Sequence, residues 1–362
     1  MSKTVQTTCD KLSAEPLLQM SLHSKELFHS NVLAWFCERY PQEAHVALRN
    51  WAPKRDSDIH RIQREKLNLD LVIELPGLAP VVIENKVFSP PDESQLERYA
   101  EKVRRKKDLR EPTFLLLSLT NPNWKDSRYV TESGAEWHYV SYQDLADALS
   151  ESAPAVPGFP GEILSHYILF ISLLHELVED LATPGPGEPI GITSSAGEFL
   201  QSVRMKDAVE KLRARSVAAS IHRAMTPVLK RTPVKYKADY TNGQPLLEAF
   251  IECRNGDRIG WQYQGDQWRL AIITKKNVGR SKAERESRHK TVAKKYAKWF
   301  DFSQINSLIG REVSDVPRLE AAGRYCGYNP DFVYRYRKLP NLTLTEMETL
   351  SRHFLTEAKK WT

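Results

Sequence analysis

Residues 114–120, Phe-Leu-Leu-Leu-Ser-Leu-Thr, are apolar at odd and even positions alike. A strand that meets water on one face alternates, so this run predicts a strand with helices on both sides. That requirement points to an α/β fold, a mixed-sheet α+β sandwich, and excludes an all-helical domain. The flanking segments supply the other parts. Ser24 is placed to cap a helix running to about Arg39, with Phe28, Val32, Trp35 and Phe36 at helical spacing. Two Val/Ile/Leu-rich runs, Asn68–Leu75 and Val81–Val87, read as a β-hairpin closed over Pro-Gly-Leu-Ala-Pro. Glu93–Lys107 reads as a charged helix with an inward stripe of Leu96, Tyr99, Ala100 and Val103, and Trp137–Tyr142 as a further strand. Helices close the domain. The most lipid-like stretch, Tyr167–Leu174, is too short for a bilayer and is flanked by His166, His175 and Glu176, so it reads as a buried helix and no membrane partner is expected.

A chain of 362 residues is long for one domain and comfortable for two. The break falls at Ala182–Ser195, where three prolines and three glycines lie between helical segments. The expected organisation is a domain over 1–182, a linker over 183–195 and a smaller α+β domain over 196–362. In the last, Leu246–Arg254, Arg258–Gln264 and Trp268–Lys275 alternate around Asn255-Gly256 and Gly265-Asp266, which predicts a three-stranded antiparallel meander followed by helices to the C-terminus. Cys9, Cys37, Cys253 and Cys326 are isolated, with no zinc spacing, and residues 1–22 lack the apolar core of a signal peptide. A reducing, cytoplasmic setting follows.

Three hairpin residues carry chemistry. With the hairpin centred on Leu78, Asp70 lies opposite Lys86 and Val72 opposite Glu84, so Asp70, Glu84 and Lys86 project from one face. Two carboxylates on otherwise apolar strands are costly to bury without a cation. Lys86 supplies one charge, and a hard divalent ion such as Mg²⁺ suits the oxygen donors, with the Asn85 backbone carbonyl as a further ligand. Such a centre can polarise a phosphodiester and activate water, the ammonium orienting that water or stabilising developing charge. The plainer reading is a solvated hairpin with an ordinary ion pair.

The segments 68–74 (Asn-Leu-Asp-Leu-Val-Ile-Glu), 81–86 (Val-Val-Ile-Glu-Asn-Lys) and 95–99 (Gln-Leu-Glu-Arg-Tyr) together resemble the PD-(D/E)XK nuclease superfamily. The resemblance runs over about residues 22–142. It implies the restriction-endonuclease-like αβββαβ core, with Asp70 opening the second core strand and Glu84 and Lys86 in the third. The proline of the family name is missing, Leu69 standing before Asp70, at a position where the superfamily is loose. Many members carry a metal-site glutamate on the first core helix, a place filled by Glu26. A first-turn carboxylate also suits the helix dipole, while the stripe shared with Leu33 and Cys37 turns it inward. Similar nucleases set a Gln-x-x-x-Tyr beside the cleft, which here is Gln95 and Tyr99. Gln95 would hold a phosphate or a metal-bound water, and Tyr99 serves equally as core. The implied catalytic set is Asp70, Glu84, Lys86, Gln95 and Glu26. The implied metal set is Asp70, Glu84, Glu26 and Asn85, for Mg²⁺ or Mn²⁺.

Other motifs fail. His175-Glu176-Leu-Val-Glu179 lacks the second histidine of a zinc-protease helix, and no phosphate-binding Gly-rich loop or Gly-x-Ser-x-Gly elbow occurs. His23, His29 and His60 read as structural. The net charge of +6, from 52 basic and 46 acidic residues, is too small to name a partner. Its distribution says more. The segment Ser281–Phe300 has an apolar stripe of Val292, Tyr296, Trp299 and Phe300 and carries Lys282, Arg285, Arg288, Lys290, Lys294, Lys295 and Lys298 elsewhere, either as a solvated surface or as a phosphate-tracking one. Arg324, Tyr325, Tyr328 and Tyr334-Arg335-Tyr336-Arg337 mix aromatics with guanidinium groups, suited to gripping nucleic acid or to packing between helices. Trp261, Tyr263 and Trp268 alternate onto one face and read as core. The expected function is Mg²⁺-dependent endonucleolytic cleavage of DNA, with prokaryotic defence or restriction as the role such a nuclease implies. Two alternatives stand beside it, a catalytically silent nucleic-acid-binding scaffold and a nuclease for RNA. The C-terminal domain is expected to bind substrate, a second copy or a partner protein.

Overall fold

A computed structural model describes residues 2–21, 25–51, 61–66, 69–74, 79–87, 93–106, 109, 111–122, 124–230, 232–274, 281–313, 326–327 and 332–362. Ser24, His23, His60, Asn68, Arg324, Tyr325 and Tyr328 lie outside these, as do the side chains of Lys282, Arg285 and Arg288. The chain forms two compact units, one of Met1–Leu181 with Ser194–Leu212, the other of Ala182–Thr193 with Arg213–Thr362.

The first unit is built on a six-stranded mixed sheet. Its strands are β1 (Arg61–Arg64), β2 (Leu71–Glu74), β3 (Val81–Lys86), β4 (Thr113–Ser118), β5 (Arg128–Val130) and β6 (Glu136–Ser141), in spatial order β1-β2-β3-β4-β6-β5. β1 to β3 form an antiparallel meander, β3, β4 and β6 run parallel, and β5 pairs antiparallel at the edge. The helices are α1 (Ser2–Ala14), α2 (Pro16–Ser21), α3 (Lys25–Arg39), α4 (Pro41–Leu48), α5 (Glu93–Arg104), α6 (Tyr142–Ser152), α7 (Gly158–Ala182) and α8 (Ser194–Ser202). Strand alternation sorts the core. Val72, Val82, Phe114, Leu116 and Trp137 pack with Leu96, Tyr99, Ala100 and Val103 of α5. On the opposite face Leu71, Ile73, Ile83, Leu115, Leu117 and Val140 meet Leu33 and Cys37 of α3, Leu48 of α4 and Leu145 of α6. β4 is therefore covered on both sides, as its composition requires. Each large apolar side chain buried this way contributes roughly 1.5–3 kcal/mol.

The hairpin register differs from the expected one. Leu71 pairs with Ile83 and Ile73 with Val81, so the centre lies one residue earlier and the strands are shifted by two positions. Carried one step further, this register sets Asp70, just ahead of β2, across from Glu84 rather than Lys86. A shift of two preserves the facing, whereas a shift of one would send every side chain to the other sheet face.

α7 is long and apolar enough to cross a membrane by length and composition alone. Leu164, Tyr167, Phe170, Ile171, Leu174, Leu177 and Leu181 are all buried, which is the pattern of a core helix.

In the second unit β7 (Val234–Thr241), β8 (Gln244–Glu252), β9 (Arg258–Gln264) and β10 (Gln267–Ile273) form a four-stranded antiparallel meander. β12 (Phe332–Lys338) adds to β10, and the two-residue β11 (Cys326–Gly327) to β12. The Tyr/Arg-rich segment is thus a strand and not a surface between helices. Helix α9 (Lys206–Leu229) contributes Val217, Ile221 and Met225 to the core of this unit. α10 (Lys282–Lys295), α11 (Ile305–Ile309) and α12 (Leu344–Lys359) complete it. Trp261 and Trp268 stack at 4.8 Å inside this core, beside Phe354. Residues 182–193 are pinned to this unit and are no free tether. Ile190 donates to the Leu342 carbonyl at 2.8 Å, and buried Arg213 donates to the Pro189 and Ile190 carbonyls at 2.6 and 3.0 Å.

Candidate active site

The acidic residues gather where β2 begins and β3 ends. β3 is buried almost throughout, so Glu84 is only 2% exposed. Its Oε1 lies 2.9 Å from Nζ of Lys86, two residues along on the same face. The Lys86 ammonium also lies 3.9 Å from Oε2 of Glu26, in the first turn of α3. Asp70 joins through the backbone, its Oδ2 accepting the Asn85 N–H at 2.7 Å. The structure therefore brings Glu26, Asp70, Glu84 and Lys86 together. Gln95 and Tyr99 stand on α5 over the same sheet face, Gln95 Nε2 donating to the Tyr99 hydroxyl at 2.6 Å.

The electrostatics of the cluster are those of crowded carboxylates. Burial, then the Asp70 charge, pushes the Glu84 carboxyl up to about 7, and Lys86 only partly offsets this. Burial also raises Asp70, against the opposing pull of the Asn85 N–H and of Lys86. Burial disfavours the Lys86 ammonium, but the charge of Glu84 and their hydrogen bond, reinforced by Glu26 and Asp70, hold it above the usual lysine value. Tyr99 is raised by burial and next by the Glu84 charge, which places its hydroxyl within the field of the cluster.

Asn85 has a role that spacing alone did not show. Its side chain leaves the acidic face, is 1% exposed and is hydrogen-bonded at both ends. Nδ2 donates to the Glu26 carbonyl at 3.0 Å and to Ser30 Oγ at 3.2 Å, and Oδ1 accepts from the Tyr142 hydroxyl. Only its backbone carbonyl remains for a ligand role. The sequence signal was an amide on a strand face whose other residues, such as Ile83, are apolar. Glu65, just past β1, is close enough to raise Asp70 electrostatically. Glu74, at the turn end of β2, is taken up by Gln63 at 2.6 Å and Lys66 at 3.1 Å. His29 is fully buried against Tyr167 and Phe170, and burial lowers its pKa to about 3, so it is a neutral core residue.

Among the described residues no three carboxylate, imidazole or thiol side chains are grouped so as to hold a metal ion by themselves. Asp70, Glu84 and the Asn85 carbonyl nevertheless make an all-oxygen set of the kind a hard divalent cation takes. Glu84 Oε2 and Glu26 Oε1 are buried without a hydrogen-bond donor among the described residues. Three carboxylates face one ammonium. The residues present fit a divalent cation.

The basic candidates of the second unit divide. Lys290, Lys294 and Lys298 are exposed on α10 and the turn after it. Lys295 is held by Asp257 at 3.1 Å and lies 4.7 Å from the Tyr296 ring. Arg337 is 8% exposed and donates to the Phe302 carbonyl at 3.4 Å, while Arg335 is half-buried on β12. Arg337 is therefore a buried internal contact, while Lys295 is half-exposed and already paired with Asp257. Val292, Tyr296, Trp299 and Phe300 are buried as the stripe required, and Trp261, Tyr263 and Trp268 are core.

An α/β domain with a mixed sheet and an acid–acid–lysine cluster at the ends of two paired strands defines a class. Residues 17–158, within the N-terminal domain, match the family model of the PD-(D/E)XK nuclease superfamily. Neither the curated proteins nor the solved structures give a match.

Proposed function

We propose that the protein is a divalent-cation-dependent nuclease that hydrolyses phosphodiester bonds in DNA. The N-terminal domain over 1–182 would carry catalysis, and the domain over 196–362 would hold DNA, a second copy or a partner protein. The observation that carries this reading is the meeting of Asp70, Glu84 and Lys86 on one sheet face, with Glu26 on the neighbouring helix. Asp70 and Glu84, with the Asn85 carbonyl and Glu26, would hold Mg²⁺ or Mn²⁺. When bound, such an ion supplies a polarised phosphodiester and a more acidic water. Lys86, tied to Glu84 at 2.9 Å, orients the attacking water or stabilises the charge that develops on phosphorus. Gln95, which donates to the Tyr99 hydroxyl on α5, would hold a phosphate oxygen or a metal-bound water. Lys290, Lys294 and Lys298, exposed on α10 and the turn after it, would meet the nucleic-acid backbone. A cytoplasmic setting agrees with Cys9, Cys37 and Cys253, which are free, buried and raised above the ordinary thiol pKa by burial.

The test incubates the full chain with matched DNA and RNA, with Mg²⁺, Mn²⁺ or EDTA. Cleavage of DNA that needs the metal, and is lost in Asp70→Ala and Lys86→Ala with folding retained, is expected. Undiminished cleavage by both variants would remove the assignment, and cleavage confined to RNA would replace the substrate. Binding of DNA without cleavage under any metal would favour the silent scaffold. A defence role would appear as reduced phage plating on cells that express the wild type and not Asp70→Ala.

A further inference from the structure

Resting on the reading of the cluster as a divalent-cation centre, we propose that Asn85 is a positioning residue that fixes Glu26 of α3 against the hairpin carboxylates. Asn85 is the point at which the parts of the site meet. Its neighbours in β3 are Glu84 and Lys86, and its backbone N–H is bonded to Asp70 at 2.7 Å. Its amide clasps α3 twice, one turn apart, at the Glu26 carbonyl and the Ser30 hydroxyl, at 3.0 and 3.2 Å. The Tyr142 hydroxyl, at the start of α6, holds the other end of the amide.

The sheet face that Asn85 enters is otherwise built of Ile83, Leu115, Leu117 and Val140. Isolated there, an amide costs more than an aliphatic side chain of similar volume, and a buried polar network is tolerated because every member is satisfied. What such a network adds is one fixed geometry. Apolar packing lets a helix slide by fractions of an ångström along a sheet, whereas two directed hydrogen bonds from an amide itself held by the Tyr142 hydroxyl set both its height and its rotation. Glu26 needs that constraint. Its side chain reaches the cluster only through a long ion pair with Lys86 at 3.9 Å, and its Oε1 lacks a donor among the described residues, so its own contacts hold it weakly.

The test measures Mn²⁺ binding to the full chain by calorimetry, without nucleic acid, alongside melting curves and circular dichroism. Asn85→Leu is expected to weaken Mn²⁺ binding about tenfold, the effect of roughly 1.4 kcal/mol of lost positioning. Tyr142→Phe, which removes one hydroxyl and keeps the ring, is expected to weaken it by a smaller factor, and it keeps the test decisive if Asn85→Leu fails to fold. The discriminating step is a double-mutant cycle with Glu26→Ala. Asn85 acting through Glu26 predicts that Asn85→Leu adds nothing on the Glu26→Ala background. Tyr142→Phe should likewise add nothing there. A generally structural role predicts additive losses, and additivity overturns the inference. Wild-type Mn²⁺ affinity in both Asn85→Leu and Tyr142→Phe also overturns it. A wild-type chain that binds no Mn²⁺ refutes the metal-centre reading itself and the Asn85 role with it.

Discussion

Replacing Glu84 by glutamine is expected to destroy the metal site and at the same time to stabilise the metal-free fold. The carboxyl is 2% exposed and has its pKa raised to about 7 from an ordinary 4.5, by burial first and by the Asp70 charge second, with Lys86 opposing and Glu26 adding. A carboxyl raised on folding binds its proton more tightly in the native state than in the unfolded one. Its favourable contribution to folding is therefore complete below about pH 4.5 and is lost as the pH climbs to about 7. At 1.36 kcal/mol per pH unit the penalty above pH 7 is about 3 kcal/mol. Raised Asp70 adds to it with the same sign.

Glutamine keeps the shape and cannot ionise, so Glu84→Gln should recover that free energy at pH 8 and none of it at pH 4.5. For a unit of about 200 residues this corresponds to a rise of roughly 6–12 °C in the first unit's melting temperature. The measurement is differential scanning calorimetry of both proteins across this pH range, with EDTA present. In a second arm, Mn²⁺ should stabilise the wild type by about 2.7 kcal/mol at a hundred times its dissociation constant, raising its melting temperature, and leave Glu84→Gln unmoved. A variant that melts with or below the wild type at pH 8, or that gains as much at pH 4.5, would refute the electrostatic reasoning. Equal responses to Mn²⁺ would refute the placement of Glu84 at the metal.

Replacing Lys290, Lys294 and Lys298 together by glutamine should flatten the salt dependence of DNA affinity by up to three phosphate contacts, read from the slope of log affinity against log salt; an unchanged slope removes that surface from the interface. Gly260→Ala should unfold the second unit, because a Cβ there would lie 2.0 Å from the Ala249 carbonyl oxygen and 2.8 Å from the Phe250 ring, and a normal melt of that unit would contradict it. Trp137→Ala should cost the first unit about 3–5 kcal/mol in chemical denaturation, since the ring is wholly buried and lies 4.8 Å from Phe114. Arg213→Met should release residues 182–193 from the second unit and make them a protease target, while an equally resistant chain would show that the Leu342 contact suffices.

What the sequence made legible follows from the range of the forces involved. The covered strand β4 and the common face of Asp70, Glu84 and Lys86 depend on period-two alternation, which is local and survives even a two-residue error in register. The register depends on the turn that closes the hairpin, and Pro-Gly-Leu-Ala-Pro admits more than one closure. β7 escaped notice although Asn242-Gly243 follows it directly, both residues with positive φ, the dipeptide that favours a tight hairpin. Its polar outward residues, Lys235, Lys237 and Asp239, gave the segment the look of a loop. β12 was hidden by composition, because Tyr-Arg-Tyr-Arg looks like surface until Trp268 is found opposite Arg337 and Tyr334 beneath the Arg269 guanidinium. The fates of Lys295 and Arg337 depend on Asp257 and the Phe302 carbonyl, partners tens of residues away that no spacing rule reaches. Asn85 is the same case at the site itself. Ser30 and Tyr142 are 55 and 57 residues distant in sequence, and only the folded sheet places them on either side of its amide.

These long-range contacts also explain why the cluster exists in so unfavourable a form. Within it only the Lys86 ammonium and the Asn85 N–H favour assembly. Burial raises both Glu84 and Asp70, the Asp70 charge raises Glu84 further, and Glu26 works against both. Lys86 is one positive charge among three carboxyl groups, so once all three are ionised a formal charge of −2 remains on a largely buried face. The assembly is imposed from outside, by the ladder that fixes β2 on β3, by the Asn85 amide that fixes α3, and by the apolar core on both sheet faces. A fold that holds like charges together at a cost of kilocalories is the arrangement expected of a site completed by a ligand of opposite charge, since the same crowding that weakens the empty site strengthens the filled one. A divalent cation supplies the missing charge with one ion. A second lysine in the same place would balance only half of it and would leave the buried oxygens of Glu26 and Glu84 competing for a single ammonium.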